Sequence, residues 1–366
     1  SIVWLFSSNS GSTHENMKLK LSKTLWGVDE MQNEDNWDRI FQRIKSEGFS
    51  AIESICLGYM SNPTLFVELL KKHELDLIIQ IHTSGGYLDE NGYVYCSSCD
   101  VSEHVISFKK QLLDALKLNP IIINVHSGHD SWNNENALLY FKQVLEIEEQ
   151  EINQNEKYLS LNNETDKVPI VVHETHRQRL LFNPFQCRDL LALPELQKLK
   201  INADLSHWVC VCERLFNMDD LRDVWFKPLL EMVATKCYLI HARIGHAEGP
   251  QVYDPRLNKF QLEVNTHLDW WEIIWNIQKQ SNNLNCLYIE PEHGPEPYQT
   301  YFSIPKVTPS PQADSTVVVV AAAADDDDGG DNNLSAKEKE NTLWDINTYV
   351  AEIVTERFNK TAQTNE

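Results

Sequence analysis

Polar, metal-competent side chains close one apolar run after another along this chain. Val171-Val172 leads into His173-Glu174-Thr175-His176, and Asn202-Ala203 leads into Asp204-Leu205-Ser206-His207. Ile240 precedes His241-Ala242-Arg243, and a later run ends in Glu290-Pro291-Glu292-His293-Gly294. Earlier runs close at His82 and at His126-Ser127-Gly128-His129-Asp130. Counting His246, nine of the thirteen histidines stand at or just after such run ends. Imidazoles and carboxylates brought to one place form a ligand set for a hard or borderline divalent cation. Three carboxylates with one imidazole favour Mn2+, Mg2+ or Co2+; a structural Zn2+ site would prefer sulfur, although Zn2+ stays open. Any one of these residues has a plainer reading, since a strand-end histidine is commonly just hydrogen bonded and an aspartate commonly caps the next helix. Four consecutive runs that each end in a donor make the metal centre the better account.

Such donors can meet only if the runs are parallel strands opening at one end. Eight β-branched, apolar runs read as strands: Leu19–Trp26, Ala51–Cys56, Leu77–His82, Ile121–His126, Pro169–Glu174, Leu199–Asp204, Cys237–His241 and Cys286–Pro291. Helical periodicity lies between them: Trp37, Ile40, Phe41 and Ile44 recur at 3–4 spacing before Gly48. Similar patterns cover Val101–Leu118, Glu135–Ile152, Leu221–Val233 and Leu268–Gln280, and Leu343, Ile346, Val350 and Ile353 mark a last helix. The alternation predicts an α/β fold, a single (β/α)8 TIM barrel whose functional groups sit at the carboxyl ends of the strands.

The expected division is an N-terminal extension over 1–17, the barrel over 18–307, a disordered low-complexity insertion over 308–340, a closing helix over 341–358 and a tail over 359–366. The insertion is read from Thr308–Asn333, where two prolines precede four Val, four Ala, four Asp and a Gly pair. Glu148–Lys167, rich in Glu and Asn, reads as a lesser insertion.

The chain has 366 residues, 42% of them hydrophobic, and a net charge of −22 to which Asp325–Asp328 contributes. No cluster of Lys and Arg suits a duplex, so no nucleic-acid partner is expected. No run approaches the roughly 20 apolar residues that span a bilayer, and no membrane partner is expected. Ile2–Phe6 is too short for a signal-peptide core, although the chain begins at Ser1 and a removed presequence stays open. The eight cysteines are scattered, with Cys56, Cys237 and Cys286 inside strand-like runs, which suits reduced thiols and a cytoplasmic location. Cys96-Ser97-Ser98-Cys99 is a solitary C-x-x-C and reads as a plain loop; Cys210 and Cys212 read as packing behind the site.

The run ends resemble those of the xylose-isomerase-like barrel superfamily of sugar isomerases, ketose epimerases and related enzymes, within it the sugar phosphate isomerase/epimerase subgroup. The resemblance spans about Lys18 to Ile304 and the last helix. It rests on His173-Glu174-Thr175-His176, Asp204-Leu205-Ser206-His207-Trp208, His241-Ala242-Arg243, Glu248-Gly249-Pro250-Gln251-Val252-Tyr253-Asp254-Pro255-Arg256 and Pro291-Glu292-His293-Gly294-Pro295. It implies that Glu174, Asp204, His241 and Glu292 hold the metal. Glu290 and Glu292 share a side of an extended strand, and the match around Pro291-Glu292 favours Glu292. His82, His126, His176 and Trp26 are candidates for substrate contact or ligand support. Trp132 and Trp208 are candidates for a pocket wall or for ordinary packing.

The resemblance further implies proton transfer beside a carbonyl through a metal-stabilised enediolate, with an open-chain sugar or sugar phosphate as small-molecule partner. Glu174 and Glu292 would exchange the proton, and His207 and Arg243 would hold substrate oxygens. Two faces of one carbon give epimerisation; one face with transfer to the adjacent carbon gives isomerisation. No glycine-rich phosphate cradle stands out, so a phosphorylated substrate is left open, as is a homo-oligomer. The lysine motif of hydride-shift isomerases is absent. An apurinic endonuclease-like phosphodiesterase is the alternative from another class, because His82, His126, Glu174, Asp204, His207 and His241 occupy comparable run ends. Its further ligand motif needs Asp-x-His, where this chain reads Asp254-Pro255-Arg256. A polyol dehydratase uses the same metal and base logic. A non-catalytic scaffold fits less well, since clustered carboxylates repel one another without a cation.

Overall fold

Eight parallel strands close into a ring: β1 Lys18–Thr24, β2 Ala51–Ile55, β3 Asp76–His82, β4 Ile122–His126, β5 Ile170–Glu174, β6 Ile201–Ala203, β7 Cys237–His241 and β8 Cys286–Glu290. β1 pairs with both β2 and β8, which completes the barrel. The computed structural model describes residues 17–55, 61–88, 94–96, 98–155, 168–281, 284–300 and 335–363. The readings of 1–16, of Thr308–Asn333, of most of the Glu148–Lys167 insertion and of the Cys96-x-x-Cys99 loop at Ser97 lie outside the described residues.

A helix follows each strand: α1 Trp37–Ser46, α2 Pro63–Lys72, α3 Val101–Leu116, α4 Asn134–Glu148, α5 Pro184–Leu191, α6 Phe226–Ala234, α7 Gln261–Ser281 and α8 Ala336–Gln363. Local chemistry starts several of them. The Asn62, Asp100, Asn133 and Asn183 side chains accept first-turn amides, and Pro63 and Pro184 fill positions whose amides need no helical partner. α1 ends before Gly48, at φ +89°, and buries Trp37, Ile40, Phe41 and Ile44. A π-helical turn, Glu149–Asn153, prolongs α4.

Alternation along the strands divides two hydrophobic layers. Ile79, Ile81, Ile123, Val125, Val171, Ile240, Leu287 and Ile289 face the helices in the main core. Ala51, Ile78, Ile122, Val172, Leu239 and Tyr288 form a separate cluster inside the ring. Two residues on, the next inward positions of β2, β4, β5, β7 and β8 are Glu53, Asn124, Glu174, His241 and Glu290, all buried. The barrel therefore has an apolar floor and a polar storey above it, at the ends of its strands.

Two features differ from expectation, and one open alternative is resolved. α8 starts at Ala336 and runs to Gln363, so it takes in residues assigned to the insertion and the tail. Its start is a reciprocal cap, in which Glu338 accepts from the Ser335 amide (2.9 Å) and the Ser335 hydroxyl accepts from the Glu338 amide (3.3 Å). A short hairpin, Gly85–Leu88 with Val94–Cys96, leaves the end of β3. Trp132 and Trp208 are packing residues: their indole amides donate to Cys99 O and Leu181 O, and Trp208 is fully buried. No described helix is long and apolar enough to cross a membrane.

Candidate metal centre

β5, β6, β7 and β8 deliver Glu174, Asp204, His241 and Glu292 to one point, where one donor atom of each lies within 4.8 Å of the others. All four are 0–4% exposed. Each is fixed differently. Glu174 ends β5, and its Oε2 accepts from Asn124 Nδ2 (2.8 Å), from His126 Nε2 (2.9 Å) and from Asn202 Nδ2 (3.3 Å). Asp204 stands one residue beyond β6 and uses both oxygens. Oδ1 accepts from the Ser206 amide at 3.1 Å and from the Ser206 hydroxyl, just ahead of the helical turn Ser206–Val211, while Oδ2 accepts from Arg243 at 2.6 and 3.1 Å. The local turn contact and the contact with Arg243 thus use opposite edges of one carboxylate.

Glu292 lies in the loop after β8, which α8 and the loop after β7 pin in place. Asn347 of α8 accepts from the His293 amide (2.7 Å), and Gln251 accepts from the Gly294 amide (2.8 Å). Position 294 must be glycine, because a Cβ there would lie 2.1 Å from the Trp26 ring. That ring and Tyr298 meet edge to face, 5.0 Å apart, above the Arg243 guanidinium. Arg243 also donates to Glu292 Oε2 at 2.8 Å, tying two of the four donors together.

The donor set passes a test of fit for a cation. Glu174 Oε1 and His241 Nδ1 are buried and lack any hydrogen-bond partner. Nδ1 lies 2.8 Å from Glu292 Oε2 and 3.6 Å from Glu174 Oε2, yet is aligned for a hydrogen bond with neither. Buried polar atoms left unmatched in this way are costly, and a shared positive ion would satisfy them together. Two further groups share members with this one: His126, Glu174 and His176, and Glu53, His241 and Glu290.

Burial and neighbours set the charges. Burial, with Asp204 close by, raises the Glu174 carboxyl above the usual carboxylate range. Burial also acts to raise Asp204, but Arg243, His207 and His241 outweigh it and hold that carboxyl low. Burial would depress His241, but Glu292, Glu53 and Glu174 hold it well above an ordinary imidazole. His82, His126, His176 and His207 are pushed well below it, chiefly by burial, and stay neutral.

Away from the centre, burial pulls His267 down to about 4. Its Nδ1–H donates to Glu263 O (2.8 Å) while Nε2 accepts from the Gly245 amide (3.3 Å), which fixes the neutral ring. The folded chain then binds fewer protons than the unfolded chain between about pH 4 and 6.5, so stability falls as pH falls through that window. Roughly 3 kcal/mol is at stake from this one residue. Urea denaturation at pH 7 and pH 4.5 should show the loss, and His267→Gln should shrink the difference.

The other residues singled out in the sequence divide. His82, His126, His176 and His207 stand in a row, ring centroids 4.1 to 4.3 Å apart, along the edge of the centre. His173 faces outward, against Ser127 and Glu148. His246 closes a turn with Gly249, and His129 binds Ser131 on the outer side of its loop. Glu290 points inward beside Glu53 and His241, with neither oxygen hydrogen bonded. Glu53, Asn124 and Asn202 were missed. Their signal was a polar residue at an inward position of an otherwise buried strand.

No protein-family model matches the chain, and no curated protein matches it. Solved structures with similar backbones include an AP endonuclease of family 2 from Brucella melitensis, 14% identical, covering 76% of this chain and 94% of that one at a TM-score of 0.46. A D-allulose 3-epimerase from Methylomonas sp. is 11% identical, covering 75% and 86% at 0.45. A sugar phosphate isomerase/epimerase from Parabacteroides distasonis is 10% identical, covering 81% and 93% at 0.43. At these scores the likeness carries no functional weight. The closed ring of eight parallel strands with intervening helices fits the xylose-isomerase-like barrel that the motifs resemble.

Proposed function

We propose that this chain is a divalent-metal-dependent isomerase or epimerase that moves a proton beside the carbonyl of a sugar or sugar phosphate. The observation that carries this reading is the buried four-donor cluster, with Glu174 Oε1 and His241 Nδ1 left unmatched at its centre. Glu174, Asp204, His241 and Glu292 would hold the ion, with Mn2+, Mg2+ or Co2+ suiting three carboxylates and one imidazole. A bound cation supplies polarisation of a carbonyl and stabilises negative charge that develops beside it.

The chain's own groups do the rest. Glu174, whose burial favours the protonated form, is suited to take a proton from carbon near neutral pH. Glu292, positioned by Arg243 at 2.8 Å, faces the same point from the loop after β8 and would be the second proton-exchanging group. His207 is neutral, has Nδ1 unmatched and sits 3.5 Å from Asp204, a position suited to a substrate hydroxyl. Trp26 and Tyr298 offer apolar ring surface for the C–H faces of a sugar. Incubation with Mn2+ and a panel of ketoses and ketose phosphates in D2O tests the reading, because deuterium must enter at the reacting carbon. Turnover without exchange from solvent would remove the proton-transfer step.

One observation favours the second reading. His126, Glu174 and His176 form a neighbouring donor group that shares Glu174, as a multi-metal phosphodiesterase requires. Against it, Asp254 is paired with Arg256 at 2.9 Å, where that reading needs another ligand. The expected result is one equivalent of bound metal per chain by elemental analysis and no cleavage of an abasic duplex with Zn2+. Two or three equivalents together with cleavage would reverse the ranking.

A further inference from the structure

Beside the four donors, in the same polar storey as Glu174 and His241, lies a carboxylate that touches the centre. Glu53 comes from β2, across the barrel from the strands that carry the donors, and is 4% exposed. Its Oε2 accepts from His241 Nε2 at 3.0 Å. Its Oε1 accepts from Asn124 Nδ2 at 3.4 Å, and the same amide group donates to Glu174 Oε2 at 2.8 Å. One buried side chain is therefore joined directly to one donor and through a single amide to a second.

We propose that Glu53 is the positioning residue of this centre: it keeps a proton of His241 on Nε2, so that Nδ1, which faces Glu174 and Glu292, is the nitrogen that serves the ion, and through Asn124 it fixes the rotation of Glu174. The inference rests on the metal reading above and adds a residue to it. The physical case is geometric. A neutral imidazole carries one hydrogen, and it stays on the nitrogen whose hydrogen bond to an acceptor is aligned. Nε2 has the Glu53 acceptor, and Nδ1 is the unmatched atom between two carboxylate oxygens. A carboxylate on the far nitrogen also makes the imidazole a stronger donor and locks its plane. Glu290 cannot substitute for it, because neither of its oxygens makes a hydrogen bond to the ring.

The test is titration calorimetry of the full chain with Mn2+, comparing wild type, Glu53→Ala and Glu53→Gln. Loss of such a partner typically weakens metal binding roughly 10- to 100-fold. Glu53→Ala is expected to show that loss at unchanged stoichiometry. Glu53→Gln, which keeps one acceptor oxygen and nearly the same shape, is expected to recover part of it and guards against a folding defect. Imidazole 15N spectra of the wild-type chain loaded with Mg2+ should show His241 protonated at Nε2. Equal affinity in all three proteins, or a proton on Nδ1, overturns the assignment. Two equivalents in wild type, one of them lost in Glu53→Ala, overturns it by making Glu53 a ligand. A wild-type chain that takes up no Mn2+ overturns the metal reading itself, and the assignment with it.

Discussion

Replacing Glu174 or Glu292 by glutamine is expected to lower turnover in the proposed proton-transfer reaction by about 10²- to 10⁴-fold, the usual worth of a placed general acid or base. Glutamine keeps the size of the side chain and an acceptor oxygen. At position 174 that oxygen can still receive Asn124, which now donates at 2.8 Å, so the fold should survive. What is lost is the negative charge and the capacity to hold a proton. A charge defect alone weakens metal binding, and raising the Mn2+ concentration then restores the rate. A proton-transfer defect leaves the rate low at saturating metal. Calorimetry and initial rates on both variants separate these outcomes, and full activity in both would end the proton-transfer assignment.

The run ends were readable because a barrel imposes a simple rule on its strands. Apolar, β-branched residues fill the staves until the mouth is reached, and the first polar residues then mark the functional end. Val171-Val172-His173-Glu174 shows both the power and the limit of that rule. It locates the mouth, but His173 and Glu174 are adjacent and must point to opposite sides of the sheet. Period-two reasoning sends one to the centre and the other toward α4. The structure turns Glu174 inward and leaves His173 against Glu148 and Ser127. Density of histidines overstates a site unless alternation is applied to each.

Residues that support the donors were harder to read, because they lie within strands rather than at their ends. Glu53 follows Ala51-Ile52, and Asn124 follows Ile122-Ile123. Nothing local says that the two meet, since their contact depends on ring closure and the stagger of β2 against β3 and β4. The start of α8 is a different case. Ser335-Ala336-Lys337-Glu338 is a capping-box pattern, and Ala, Lys and Glu are good helix formers. The homopolymer blocks just before it drew the insertion boundary too far into the helix.

Arg243→Met is expected to destabilise the metal-free chain by about 3–5 kcal/mol, because it leaves buried carboxylates without their cation. Arg243 is 1% exposed and its NH2 group lies 2.6 Å from Asp204 and 2.8 Å from Glu292. Methionine fills much of the volume, so lost packing contributes little and the effect isolates the charge. In a chain of this length the melting temperature should fall by about 5 °C. Added Mn2+ should then raise it in both proteins, since a ligand at 100 times its Kd stabilises by about 2.7 kcal/mol. The gain should be at least as large in the variant at equal free Mn2+, where the ion relieves carboxylates that no guanidinium neutralises. Arg243→Lys should fall between, because an ammonium restores one charge but cannot span Asp204 and Glu292 as a planar fork does. Scanning calorimetry with and without Mn2+ checks all three, and a variant that loses stability yet gains nothing from the metal would mean that the four donors do not share a cation.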